Sequence, residues 1–467
     1  MNNRSNLLKF NIIFAIYTTI GCTLTYYIKD SLMTEYFKEY IVLLISYFLV
    51  GGLFILTVTK YKIDIFQPFI LISVIYICMF SITPIIFILN GKTDVHGVDV
   101  MSGCIKATLI YIISYIAFVI GYVSYRVKPN KNNRLERYSI NDLNKNKILS
   151  ICYIIWGIAY IITIFYMLST GSSIIQILTI GSKASKTEVI NTSVLGFLSN
   201  FSYCLIIPWL YICYLGKNTI LKLIISYLTV GVYVIRGFRF IIIIMAISFI
   251  IVYYRKRMKL PKVTTLLVIL CSGLIFIGAL GYARNSFRTG VEVNWSEFNV
   301  DSILYALESN FDIYKTFYGI VEHYPSEYSY TFGKSMILET ITMFVPRAIW
   351  PEKPLAVDAS VVKAISRSVS EFAINNAAMA TPNIGEFYVD FGILGCIVCM
   401  FLFGSVAKCT TKFYFIRSSN INYIILYSVI MPTFLQLVIR GYMPSNFYLV
   451  AFLLVPFYSI RLVSKIK

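Results

Sequence analysis

From Leu223 to Tyr254 the chain carries only two charged residues, Arg236 and Arg239, and is otherwise nearly all Ile, Val, Leu, Tyr, Phe and small residues. A run like that has no polar face to turn toward water, and similar runs recur along the chain. Of the 467 residues, 58% are hydrophobic and 13% are charged, against roughly 25% charged in a soluble domain. Windows of about 20 apolar residues can cross the hydrocarbon core as helices, because a helix satisfies every backbone polar group internally. The chain is therefore predicted to be an all-α, polytopic membrane protein.

Twelve windows read as transmembrane helices, at approximately 8–27, 40–58, 68–88, 105–125, 148–169, 196–215, 220–235, 240–254, 263–283, 386–407, 422–438 and 446–461. The first follows a short basic start with no small-residue cleavage site after it, so it reads as a retained helix. Arg126–Lys147 carries seven Lys/Arg against two acids, and Arg255–Lys262 carries five and no acid. Both segments are expected on the cytoplasmic side, and parity then puts both termini there too. Of the 22 acids only Asp64, Glu136 and Asp142 fall inside. The net charge of +19 is accordingly a cytoplasmic excess set by topology. There is no soluble basic domain to bind nucleic acid.

Three regions follow: residues 1–283 with the first nine helices, a large outer loop at 284–385, and residues 386–467 with the last three. Loops that long are usually functional. Within this one, Ile303, Leu304, Leu307, Phe311, Tyr314, Tyr318 and Val321 recur at helical spacing and predict an amphipathic helix. "MILETITMFV" (Met336–Val345) is too short to span and suits an interfacial or re-entrant helix.

Arginine at the bilayer centre costs at least about 2.5–3.5 kcal/mol, and positive charge is normally depleted from outer segments. Yet "VIRGFRF" places Arg236 and Arg239 at the outer tip of a helical hairpin. "GYARNSFRTG" adds Arg284 and Arg288, "FVPRAIWPEKP" adds Arg347 and Lys353, "ISRSVS" adds Arg367, and "VIRGYMPSN" adds Arg440. Guanidinium suits phosphate, since its fixed fork engages two oxygens and its charge does not titrate away. Several converging arginines would fit a diphosphate headgroup still anchored in lipid. The competing readings are snorkelling to lipid headgroups for Arg440 and Arg367, and pairing with Glu352 for Arg347. No acid lies within fifteen residues of Arg236 and Arg239, which leaves them the strongest functional candidates.

"PRAIWPEKP" has three prolines in nine residues, so it is a rigid turn holding Arg347 still. Trp350 suits the membrane interface or stacking on a sugar ring. "TPNIGEFYVDFGILG" (Thr381–Gly395) puts Glu386 and Asp390 four apart at the outer start of the tenth span. They are either acids complementing a helix N-terminus or a carboxylate base and a sugar-hydroxyl acceptor beside the arginines. His96 and His323 are lone loop histidines, read as solvated. "CIVC" at 396–399 has metal-like spacing with no second pair and no His nearby, so no metal site is expected.

The "PRAIWPEKP" segment late in a large outer loop, the "TPNIGEFYVDFGILG" stretch that follows it and the "RGFR" hairpin tip together resemble the bacterial O-antigen polymerase (oligosaccharide repeat-unit polymerase) family. The resemblance implies an enzyme of the inner (cytoplasmic) membrane whose site faces the periplasm. It would act on undecaprenyl-diphosphate-linked glycans, joining repeat units with lipid diphosphate as leaving group and using no cofactor or metal. A chain-length regulator and a flippase of the same pathway are candidate partners. By this resemblance Arg239, Arg284 and Arg347 would stabilise the leaving group, and Arg236 and Arg288 would hold the acceptor's phosphates. Arg440, Trp350, Lys353 and Asp390 would bind substrate, and Glu386 would be the base, with Asp390 and His323 behind it. The competing activities are an O-antigen ligase and a lipid-linked oligosaccharide flippase. A flippase would place charges inside its spans, around a central cavity, rather than at their outer ends.

Overall fold

The computed structural model describes residues 3–28, 35–91, 93–95, 98–125, 142–169, 197–256, 294–299, 313–342, 380–415 and 421–465, with short pieces between 261 and 283 and at 345 and 350. These residues are helical, joined by turns, apart from one antiparallel hairpin of β1 (Asp94–Val95) and β2 (Val98–Asp99). The helices are α1 (Asn3–Tyr26), α2 (Phe37–Tyr61), α3 (Pro68–Leu89), α4 (Met101–Ser124), α5 (Asp142–Ser169), α6 (Ser199–Leu215) and α7 (Thr219–Ile235). Next come α8 (Arg239–Lys256), α9 (Ile313–His323), α10 (Glu339–Thr342), α11 (Asn383–Phe415), α12 (Ile421–Ile439) and α13 (Met443–Lys465).

Among the described residues, seven helices are long and apolar enough to cross a membrane: α2 to α5 and α11 to α13. The sequence windows numbered twelve. α6 and α7 are apolar but shorter, and α8 is 18 residues long with Arg239, Arg255 and Lys256 at its ends. α1 coincides with the first window, and the described pieces of the 263–283 window are helical.

The outer surface of α5 bears a stripe of Ile154, Ile158, Ile161, Phe165 and Leu168, all exposed, Ile161 to 69%. That is one helix face at three- and four-residue spacing, turned outward. A soluble helix would turn it in, so the stripe is a lipid-facing surface. The interior, by contrast, carries paired polar groups. The Tyr76 hydroxyl donates to Asn383 Oδ1 (2.8 Å), Tyr115 to Ser73 (2.8 Å) and Tyr122 to Gln67 (2.6 Å). In lipid such bonds tie helices together where apolar contact alone supplies little drive.

α4 and α11 form the most extensive helix pair, and glycine permits it. A Cβ on Gly404 would lie 2.2 Å from the Phe118 carbonyl oxygen, and one on Gly121 would lie 2.0 Å from that of Phe401. Both obstacles are backbone and cannot swing away. Gly404→Ala is expected to force the helices apart at a cost of about 1–3 kcal/mol. Gly157→Ala, whose Cβ would meet nothing within 4 Å, is the control. Thermal unfolding of the detergent-purified variants checks this, and equal stabilities would refute the crossing.

The loop helix differs from its sequence reading. Ile303, Leu304, Leu307 and Phe311 lie outside the described residues, but Tyr314, Tyr318 and Val321 are buried in α9 as expected. The other face of α9 is buried as well. Lys315 sets its ammonium over the Phe87 ring (4.5 Å), and Gly103 lets the Tyr318 carbonyl approach. α9 is therefore a plug against α4 and α11 rather than a helix lying on a surface. The 334–342 segment, a π-turn leading into α10, is inverted in polarity: Ser335 and Glu339 are buried while Ile337 and Ile341 are exposed. Outward apolar side chains suit the interfacial position expected of "MILETITMFV".

Candidate functional site

"VIRGFRF" folds as a helix stop followed directly by a helix start. Gly237 takes φ +69°, Phe238 N–H donates to the Tyr233 carbonyl (2.9 Å) and Gly237 N–H to that of Val234 (3.0 Å). This is the double hydrogen-bond pattern that glycine enables just past a helix end. α7 thus ends at Ile235, and α8 begins at Arg239. A cation at a helix N-terminus opposes the helix dipole. The dipole's positive end and the Arg239 guanidinium together favour an anion at this tip.

Arg236 is fastened to the start of α6. Its Nη1 donates to the Ser199 carbonyl (2.9 Å) and Ser202 Oγ (2.6 Å), and its guanidinium lies over Phe238 (4.2 Å) and Tyr166 (5.3 Å). Burial pulls its pKa down from the usual value, and the nearby Tyr203, Tyr166 and Tyr233 push it back up. An arginine stays charged under such a shift.

Arg440 follows the last turn of α12 and sets its guanidinium over Phe240, the neighbour of Arg239, at 5.3 Å. Tyr203 lies within electrostatic reach of both Arg236 and Arg440. The fold thus brings together two arginine segments two hundred residues apart in sequence. Gly441 makes the next junction: its N–H donates to the Thr381 carbonyl (2.7 Å), and a Cβ there would lie 2.4 Å from Asn383 Cα. "RGYMPSN" is thereby locked against the start of α11.

On that side stand the carboxylates. Glu386 is fully buried and accepts from Met443 N–H at 3.2 Å. It sits at the N-termini of α11 and α13 at once, where both dipoles present their positive ends. Asp390, also fully buried, accepts from Ser335 Oγ (2.6 Å), Met336 N–H (3.1 Å) and the Thr331 hydroxyl. α11 breaks at Gly392 (φ +65°), and the carbonyls of Val389 and Asp390 accept instead from Thr331 and Phe332 N–H. Asp390 thereby pins this loop to the kink of α11.

Trp350 is half-buried. Arg284, Arg288, Arg347 and Lys353 lie outside the described residues. His323 pairs with Glu327 at 3.3 Å. No group of three or more His, Cys, Asp or Glu gathers as a metal site among the described residues.

Sequence reasoning missed two residues. Glu339, 5% exposed, accepts from the Tyr442 hydroxyl at 2.7 Å, and Asn446 donates from Nδ2 to the Arg440 carbonyl at 2.6 Å. The available signal was a lone carboxylate inside "MILETITMFV" and a lone amide heading the last span, since isolated polar residues at membrane depth are functional candidates by default.

Fold and site together define a multi-pass membrane protein with arginines and buried carboxylates gathered at one end of its helix bundle. Residues 10–467 match the family O-antigen polysaccharide polymerase Wzy, and the chain belongs to that family. Membership gives it an O-antigen polymerase role in polysaccharide biosynthesis, with lipid-linked polysaccharide in the membrane as substrate. Comparison with curated proteins and with solved structures finds no match.

Proposed function

We propose that the chain joins oligosaccharide repeat units carried on undecaprenyl diphosphate, at the periplasmic face of the bacterial inner membrane. The basic segments Arg126–Lys147 and Arg255–Lys262, read as cytoplasmic, support an outer position for the arginine end. An acceptor sugar hydroxyl attacks the anomeric carbon of the donor glycan. The bond from that carbon to the diphosphate oxygen breaks, and the lipid diphosphate leaves with the electron pair. Glu386 takes the hydroxyl proton.

The observation carrying this reading is the seating of the Arg440 guanidinium over Phe240, next in sequence to Arg239 and at the tip that Arg236 fastens, with Glu386 beyond Arg440. Charge develops on the departing diphosphate, so fixed guanidiniums stabilise the transition state more than the ground state. Arg239 takes that part, with Arg284 and Arg347 from the large loop. Arg440 and Arg288 hold the acceptor's phosphates, Arg236 braces the tip beside them, and Trp350 and Lys353 contact the glycan.

The test is the glycan ladder of cells lacking this chain. A single repeat unit capping the lipid core, with the full ladder restored by the wild-type gene, supports the polymerase. Uncapped core would point to a ligase or a flippase instead.

A further inference from the structure

We infer that the Asn446 side-chain oxygen receives a sugar hydroxyl of the repeat unit, on the side of the site away from the diphosphate; the inference rests on the polymerase reading above. Asn446 is 2% exposed, in the first turn of α13. Its Nδ2 donates to the Arg440 carbonyl at 2.6 Å. A carbonyl only accepts, so the amide cannot be turned round without setting two oxygens against each other. That leaves Oδ1 buried with no hydrogen-bond partner. Buried acceptors are nearly always matched, and an unmatched one carries the full cost of its lost hydration.

The surroundings say what kind of partner is missing. In the turn before Asn446, the Tyr442 hydroxyl donates to Glu339 and the Met443 N–H donates to Glu386. This wall of the site therefore offers oxygens that accept. The guanidiniums of the arginine wall, reached through Arg440, only donate. Phosphate oxygens belong on the second wall and hydroxyls on the first. A glycosyl diphosphate presents both chemistries side by side, so the two walls fix its direction: lipid diphosphate toward the α7–α8 tip, first sugar toward the start of α13. Admitting the sugar requires the 334–342 segment, held there by the Glu339–Tyr442 bond, to shift.

The test uses the full-length protein in lipid nanodiscs. Its substrate is the polyprenyl-diphosphate repeat unit extracted from cells lacking this chain, with a panel of analogues each missing one sugar hydroxyl. Wild type is expected to lose about tenfold in kcat/KM on one analogue. Asn446→Ala is expected to extend that analogue and the native unit equally well, a loss of selectivity that mere destabilisation does not produce. Discrimination surviving in Asn446→Ala would overturn the inference. So would a wild type that extends every analogue within about twofold of the native unit, a result that needs no variant to fold. A wild type that extends nothing would bring down the polymerase reading and this inference together.

Discussion

Arg239→Ala is expected to leave the protein at its normal level in the membrane and to slow chain extension by about 10²–10³-fold, the usual effect of losing one preorganised group at a developing oxyanion. Arg236→Ala should behave differently. That guanidinium holds Ser199 and Ser202 and covers Phe238, so its removal loosens α6 from the α7–α8 tip and lowers abundance along with activity. Arg239→Lys keeps the charge without the two-pronged geometry and should recover only part of the rate. Glycan ladders at matched membrane levels, with initial rates in nanodiscs, separate these effects. Full-length ladders from Arg239→Ala at wild-type abundance would remove the tip from the site.

The helices were legible because lipid demands long apolar windows, and α2 to α5 and α11 to α13 meet that demand without ambiguity. The arginines were legible for the opposite reason: Arg236, Arg239 and Arg440 are isolated cations set against long apolar runs. Their meeting was not legible. It depends on Gly441 letting α12 end against Asn383, and on aromatic neighbours whose sequence context looks like any other membrane segment. The 334–342 segment was legible as an interfacial piece, but the burial of Glu339 within it was not. A membrane surface takes the apolar side of such a stretch and leaves its glutamate turned toward the protein, where Tyr442 from a distant segment meets it. The spacing of Glu386 and Asp390 placed both on one helix face but could not divide their roles, since the partners of Asp390 come from 55 and 59 residues away.

Those two carboxylates, one helical turn apart, should respond to substitution in opposite ways. Asp390→Ala is expected to deplete the protein from the membrane. It strands Ser335, Met336 and Thr331, three donors that converge on one buried carboxylate, at a cost on the order of 1–3 kcal/mol for each donor left unmatched. The loop that carries Glu339 would then detach from the kink at Gly392. Glu386→Gln preserves size and an oxygen for the Met443 N–H, so the protein should still accumulate in the membrane. What the glutamine cannot do is take a proton. If Glu386 is the base, extension falls about 10²–10⁴-fold while binding of the lipid-linked repeat unit persists. Quantitative blotting of membranes, thermal unfolding and initial rates on both variants distinguish the two roles. An active, stable Asp390→Ala would show that the loop needs no such pin. Wild-type rates from Glu386→Gln would leave its carboxylate a helix cap and move the proton acceptor elsewhere in the site.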